Sequence, residues 1–297
     1  MVVLKIIGSV HETEFFFCEA LAQKIAASIE ECTVVTDMMF EVDYLVKMNE
    51  MKKDNHALMY YKASHIIFRD NEIVGDAKAF TELALKEYNI ADAEVNNTIL
   101  YNRSVREHSY SMMNERGNRP VAFLEFTDFS TKPSDTVKFG TIQVELFTEL
   151  CPKACDNFMK LCEGVGKGPH AMHYKGCAVH RIVKDGWIQT GDIIDGSGAN
   201  SAAVLDMTEI VPDESFSVDF GFFAGGVVGF ANDGAHSSGS QFFITMGPCE
   251  WMNGNFVGIG RVLQGFQTLR NLNIQPTNNQ RPSGNIIIES CGTTPSS

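Results

Sequence analysis

The stretch YKGCAVHRIVKDGWIQTGD, residues 174–192, sets an arginine, Arg181, in an apolar strand, follows it with Gly186-Trp187, and places a glutamine, Gln189, eight residues after the arginine. Side chains of a strand alternate between its two faces, so an even offset lets Arg181 and Gln189 face one pocket. Taken alone, Arg181 reads as a salt-bridged strand arginine. Its surroundings in the chain change that reading.

Upstream, VAFLEFTDF (121–129) and FGTIQVELF (139–147) alternate apolar and polar residues as strands do. The second leads into CPKACDNFMKLCEG (151–164), where Pro152 suits a first helical turn, Ala154, Phe158 and Leu161 line one face, and Gly164 ends the helix. Downstream, VVGFAND, SQFFITMG and FVGIGRVL are short β-rich runs separated by Gly-rich and polar turns. Two strands, a helix, then many strands with late helical pieces predict a closed β-barrel capped by helices over residues 121–294.

The first 90 residues follow another pattern. VVLKII (2–7) reads as a buried strand broken by Gly8-Ser9, and FFFCEALAQKIAASIEE as an amphipathic helix with Phe17, Leu21, Ile25 and Ile29 at helical spacing. A short strand at Thr33–Val35, a helix DYLVKMNEMKKDN, the hairpin HIIF-RDNE-IVG and a last helix capped by Asp76 complete the order βα(β)αββα. That order resembles the thioredoxin and glutaredoxin architecture, so the expectation for residues 1–90 is an α/β thioredoxin-like domain. Redox chemistry there needs a C-x-x-C loop at the start of the first helix, where the helix N-terminus lowers a thiol pKa. Here the loop reads GSVHETEF and Cys18 lies inside the helix without a partner two residues away, so a binding or spacer domain is expected. The polar segment 91–120, with NN, RSVREHSYS and NERGNRP, reads as the linker, with room for a helix within it.

Composition excludes several classes. The net charge of −13 is spread over both halves, which argues against nucleic acid or anionic lipid as partners. No apolar run approaches the roughly 20 residues that span a bilayer. Eight cysteines in a chain with no recognisable secretion signal read as reduced thiols of a cytoplasmic protein, and Cys151 and Cys155 as ordinary helix residues, since no second ligand pair follows to make a metal site. No metal and no cofactor is expected.

From Gly140 to Gly292, and over roughly 170 residues with the preceding strand, the chain resembles the cyclophilins, the cyclosporin-binding peptidyl-prolyl isomerases. YKGCAVHRIV, IQTGD, VPDESF, GFAND, SGSQFFIT, EWMNGNFVGIGRV and IIIESCG carry the resemblance in this order and spacing. HRIV-x-x-GWIQ, HYK, the CPK-x-C helix start and PTNNQRP are shared with a divergent subgroup that joins a thioredoxin-like region to a cyclophilin domain and is associated with the ciliary axoneme. The resemblance implies binding of proline-containing peptides or protein loops, and makes cyclosporin, axonemal proteins and tubulin further candidate partners.

A prolyl bond turns over a barrier of about 18–20 kcal/mol set by amide resonance. A catalyst must seat the ring in an apolar pocket, anchor the flanking backbone, and donate to the imide nitrogen once resonance is broken; arginine, charged at any working pH, suits that last step. The resemblance gives this catalytic role to Arg181. It implies that Gln189 orients the arginine and substrate backbone, Phe243 floors the proline pocket, Ala231 and Asn232 form the backbone-contacting edge, Gln241 adds a wall, and Trp251-Met252 make the rim. The chain departs from the family pattern at several positions, of which Gly186, Trp187 and Phe256 belong to the pocket. Gly186-Trp187 replaces Phe-Met, Phe256 replaces a histidine, Asp233 an alanine, and Thr190 a glycine. An isomerase site with an altered wall is therefore expected, its turnover in question because of Gly186, Trp187 and Phe256.

Overall fold

The computed structural model describes residues 1–91, 97–115, 119–129, 136–166, 171–205, 210–216 and 221–294. The chain divides into two compact units, Met1–Gly117 and Asn118–Ser297.

In the first unit the strands β1 (Val2–Ser9), β2 (Cys32–Met39), β3 (His65–Arg69) and β4 (Glu72–Gly75) form one sheet in the order β2-β1-β3-β4. β1 runs parallel to β2 and antiparallel to β3, which pairs antiparallel with β4. The helices are α1 (Thr13–Ser28), α2 (Glu41–Asp54), α3 (Ala77–Tyr88) and α4 (Thr98–Glu115). Asp76 caps α3 by accepting from the Ala79 N–H at 3.0 Å.

The first unit refines the sequence reading at several points. The segment read as a linker carries α4, whose Tyr101 ring lies 6.1 Å from Phe17 and whose His108 lies 5.2 Å from Phe16. α1 buries Phe15, Phe16, Cys18, Leu21, Ala22 and Ile25, while Phe17 is only partly buried and Ile29 falls past the helix end. Nor does Gly8 break β1, which continues to Ser9. A Cβ at Gly8 would stand 2.6 Å from Phe15 Cδ2 and 2.8 Å from His65 Cβ, so glycine is what lets β1, α1 and β3 approach this closely.

The second unit contains β5 (Val121–Asp128), β6 (Val137–Leu146), α5 (Pro152–Glu163), β7 (Arg181–Val183), β8 (Trp187–Thr190), β9 (Val227–Phe230), β10 (Phe242–Thr245), β11 (Gly258–Gln264), α6 (Phe266–Asn273), β12 (Thr277–Asn278), β13 (Arg281–Pro282) and β14 (Ile286–Thr294). Eight strands form one antiparallel sheet in the order β14-β5-β6-β11-β9-β10-β8-β7. Its core is aromatic: Phe158 of α5 packs 5.2 Å from Tyr174 and 5.0 Å from Phe242. Cys151 and Cys155 belong to this packing, their thiols each donating to a β11 carbonyl or its neighbour, Gly258 and Ile259, at 3.5 Å. All eight cysteines are free, and among the described residues no helix is long and apolar enough to cross a membrane.

The barrel expected to be closed is an open half-barrel. Among the described residues its end strands β14 and β7 are not paired with each other; the chain just before β7 meets β14 instead, through a bridge from Ala178 to Ile287 and backbone bonds from the Val179 N–H to the Ile286 carbonyl at 2.8 Å and from the Ile288 N–H to the Cys177 carbonyl at 3.0 Å. The outer edge of β7 is occupied instead, because the Ile182 N–H donates to the Gln280 carbonyl at 2.7 Å. Gln280 lies in the turn of the hairpin formed by β12 and β13.

Replacing Gly8 by alanine should cost about 1–3 kcal/mol by overpacking. Thermal unfolding checks this as a loss of several degrees in the transition of the first unit, and an unchanged transition would contradict it.

Candidate functional site

Strand register builds the site. Arg181 of β7 opposes Gln189 of β8, Gln189 opposes Phe243 of β10, and Phe243 opposes Gly229 of β9. Directly opposed residues of antiparallel strands share a face, so arginine, glutamine and phenylalanine stand in one row. Gly229 ends it for a steric reason, since a Cβ there would lie 2.8 Å from Phe243 Cζ and 3.0 Å from Phe222 Cζ. The space a side chain would fill goes to the Phe243 ring, only 2% exposed and 5.5 Å from Phe222.

Above this row lies a cavity of about 730 Å³. Every candidate residue from the sequence lines it except Gly186. Gly186 is held in the β7–β8 turn, its carbonyl accepting from the Met246 N–H at 2.7 Å, and a Cβ there would meet Val183 Cγ1 at 3.0 Å. The wall on that side is Trp187, whose ring lies 5.8 Å from Trp251 at 61°. Trp251, 60% exposed, meets Phe256 edge-on at 6.1 Å, and Phe256 meets Phe243 edge-on at 5.5 Å. Four aromatic rings therefore follow one another round the cavity, with buried Met252 packed in the same cluster beneath them. Such edge contacts are favourable beyond the area they bury.

The polar side is a fixed chain. The Gln189 amide donates to Gln241 Oε1 at 2.9 Å, and Gln241 Nε2 donates to the carbonyls of Gly198 at 3.0 Å and Asn200 at 2.8 Å. Those carbonyls are placed by Asp192, which accepts from the backbone N–H groups of Gly198 (2.8 Å), Ile194 (3.0 Å), Asp195 (3.2 Å) and Asn200 (3.3 Å). Burial pushes the Asp192 carboxyl up, but these four donors outweigh it and hold the group below the ordinary carboxylate range. On the far side, Ala231 N–H donates to the Gln241 carbonyl at 2.9 Å, and the Asn232 side chain donates to the Asn255 carbonyl at 2.9 Å. The backbone-contacting edge is thereby pinned at both residues.

Gln189 and Arg181 are neighbours in the row, yet the glutamine is committed to Gln241. The guanidinium is held by a residue that sequence reasoning missed: Arg181 Nε donates to Gln280 Oε1 at 2.7 Å, and the guanidinium carbon lies 5.1 Å over the Trp187 ring. Gln280 sits in the two-residue turn between β12 and β13, where Asn279 and Gln280 have φ of 47° and 69°. Two successive left-handed residues make the hairpin turn that matches strand twist. Arg281 fastens the hairpin, donating to the carbonyls of Ser197 at 2.9 Å and Gly196 at 3.1 Å. The string PTNNQRP carried a signal for this turn in its asparagines, though none for the contact with Arg181.

An arginine, a hydrogen-bonded glutamine pair and an aromatic floor stand together on one half-barrel sheet. Among the described residues no three His, Cys, Asp or Glu side chains are grouped to hold a metal ion. The sequence model of the family "Cyclophilin type peptidyl-prolyl cis-trans isomerase/CLD" matches residues 128–293, and the chain belongs to that family. Within it, the chain is similar over nearly its whole length to the "Probable inactive peptidyl-prolyl cis-trans isomerase-like 6" of Bos taurus, at 28% identity covering 97% of this chain and 92% of the relative. The Homo sapiens protein of the same name is 33% identical over 239 residues, 80% of this chain and 72% of the relative. "Peptidyl-prolyl cis-trans isomerase H" of Rhizopus delemar is 32% identical over 176 residues, covering 59% of this chain and 94% of the relative.

Removing the Gln280 amide by Gln280→Ala should release the guanidinium from the Trp187 ring. In a Trp251→Phe background, Trp187 emission should change while the melting transition holds. Unaltered emission would contradict the clamp.

Proposed function

We propose that the second unit grips proline-containing segments in the cavity over Arg181, Gln189 and Phe243, with prolyl isomerase turnover weak or lost. The observation that carries this reading is the altered wall: Gly186 stands off the cavity, and Trp187, which replaces it, stacks under the Arg181 guanidinium at 5.1 Å. A proline ring still finds apolar surface on Phe243, Met252 and the neighbouring aromatics. Arg181, which should donate only when the imide nitrogen becomes basic, is engaged in the resting state by Trp187 and Gln280. Interactions already made in the ground state do not lower a barrier. A loss of about 2 kcal/mol in transition-state stabilisation would reduce turnover some thirtyfold. The names of the bovine and human relatives, both "probable inactive" isomerases, support the same reading.

A second reading concerns the setting of this site. The order β2-β1-β3-β4 and the helices around it support a thioredoxin-like fold for the first unit, without the cysteine pair that redox exchange requires. Its α4 exposes Ile99 at 85% and Leu100 at 52%, apolar surface suited to a protein partner. Together with the subgroup resemblance, these features favour a cytoplasmic structural or assembly component of the ciliary axoneme, with axonemal proteins or tubulin as partners.

NMR exchange spectroscopy on short X-Pro peptides tests the enzymatic half. The expected outcome is peptide binding with cis–trans exchange close to the uncatalysed rate, and binding weakened by Arg181→Ala. Fast exchange abolished by Arg181→Ala would overturn the account of lost turnover. A Trp187→Met variant, which removes the indole from the Arg181 guanidinium, should raise exchange by about tenfold or more.

A further inference from the structure

Only two of the described residues lining the cavity are charged, and they differ in sign: Arg181 and Asp233. The arginine has partners in Gln280 and Trp187. Among the described residues no cation and no hydrogen-bond donor meets the Asp233 carboxylate. Its position is nonetheless fixed by the backbone. The Asp233 N–H donates to Ser237 Oγ at 2.9 Å, that hydroxyl donates to the Gly234 carbonyl at 2.7 Å, and the Gly234 N–H donates to Asn232 Oδ1 at 3.3 Å. The end of the loop is tied down as well: His236 N–H donates to Asp213 Oδ2 at 2.8 Å, and the Asp213 N–H to His236 Nδ1 at 3.0 Å.

A rigid loop that presents an unpaired carboxylate at a binding cavity discriminates between ligands by charge. A neutral or acidic segment dehydrates the carboxylate without replacing its water, whereas a cationic side chain supplies the missing partner. Ile210, on the same wall and 48% exposed, offers apolar surface for the methylene stem of lysine or arginine. The chain's net charge of −13 favours a cationic partner at longer range. We propose that Asp233 selects proline-containing segments with a lysine or arginine close to the proline. This rests on the reading of the cavity as a proline-peptide site and specifies the class of segment it takes.

The test is a set of short peptides holding an Ala-Pro unit, with Lys, Ala or Glu placed in turn at the two positions on either side. Binding to the full chain is read from the fluorescence of its two tryptophans, Trp187 and Trp251, both of which line the cavity. At low ionic strength a Lys peptide should bind roughly two- to fivefold tighter than its Ala counterpart, the range of an exposed ion pair, and a Glu peptide more weakly still. The difference should shrink as salt shortens the screening length towards about 3 Å near 1 M. Asp233→Asn should remove the preference, and Asp233→Lys should reverse it. Equal binding of Lys, Ala and Glu peptides would overturn the inference while leaving the proline reading intact. A preference that survives Asp233→Asn would also overturn it, assigning the selectivity to net charge. If no peptide binds at any charge, the proline reading itself fails, and the inference with it.

Discussion

The site depends on one constraint, the register of four antiparallel strands that sets Arg181, Gln189, Phe243 and Gly229 opposite one another. Because the side-chain period of a strand is two, a slip of one residue would turn every member of the row to the other face. The row also needs an absence of side chain at its end. Gly229 leaves the volume that Phe243 and Phe222 share, and without it the floor could not lie flush with the sheet. Outside the sheet, Asp192 shapes the loop whose carbonyls take the Gln241 amide, and Gln241 in turn holds Gln189. Position thus passes from a buried carboxylate through the loop to the floor of the cavity.

Round the cavity runs a chain of aromatic rings in contact with one another. Trp187, Trp251, Phe256 and Phe243 contact one another in sequence, and the first carries the Arg181 guanidinium on its face. An arginine stacked on indole and bonded through Nε is oriented well for gripping, since its terminal nitrogens keep their direction. The same engagement lowers the energy of the resting state. Binding and catalysis therefore separate along physical lines: a well-ordered ground state favours affinity, while turnover requires interactions that appear only as the bond twists.

Several of these features were legible in the sequence. The aromatic pair in SQFFIT and the helix from Pro152 follow from periodicity and turn chemistry, and motif order supplied the family, whereas Arg181 and Gln189 share a face because β7 and β8 pair across a turn and not because of an even offset along one strand. What could not be read was long-range or subtractive. Gln280 reaches Arg181 across 99 residues of chain, and no local pattern announces such a contact. Likewise β14 meets the chain at residues 177–179 while the hairpin turn meets β7 at Ile182, two long-range contacts with no local signature. The polar composition of residues 91–120 suggested a linker, yet Tyr101 and His108 provide enough ring contact for α4 to pack on α1. Gly186 was expected as a gap in the wall and proves to be no part of it, because its backbone is committed to the turn.

The central claim, that this cavity receives proline-containing segments, is tested most directly by the indole N–H signals of Trp187 and Trp251 in a heteronuclear NMR titration of the full chain. The account predicts that both signals shift saturably with an X-Pro peptide, and that the same peptide with alanine in place of proline moves neither. Two indole signals that stay fixed at millimolar X-Pro peptide would contradict it.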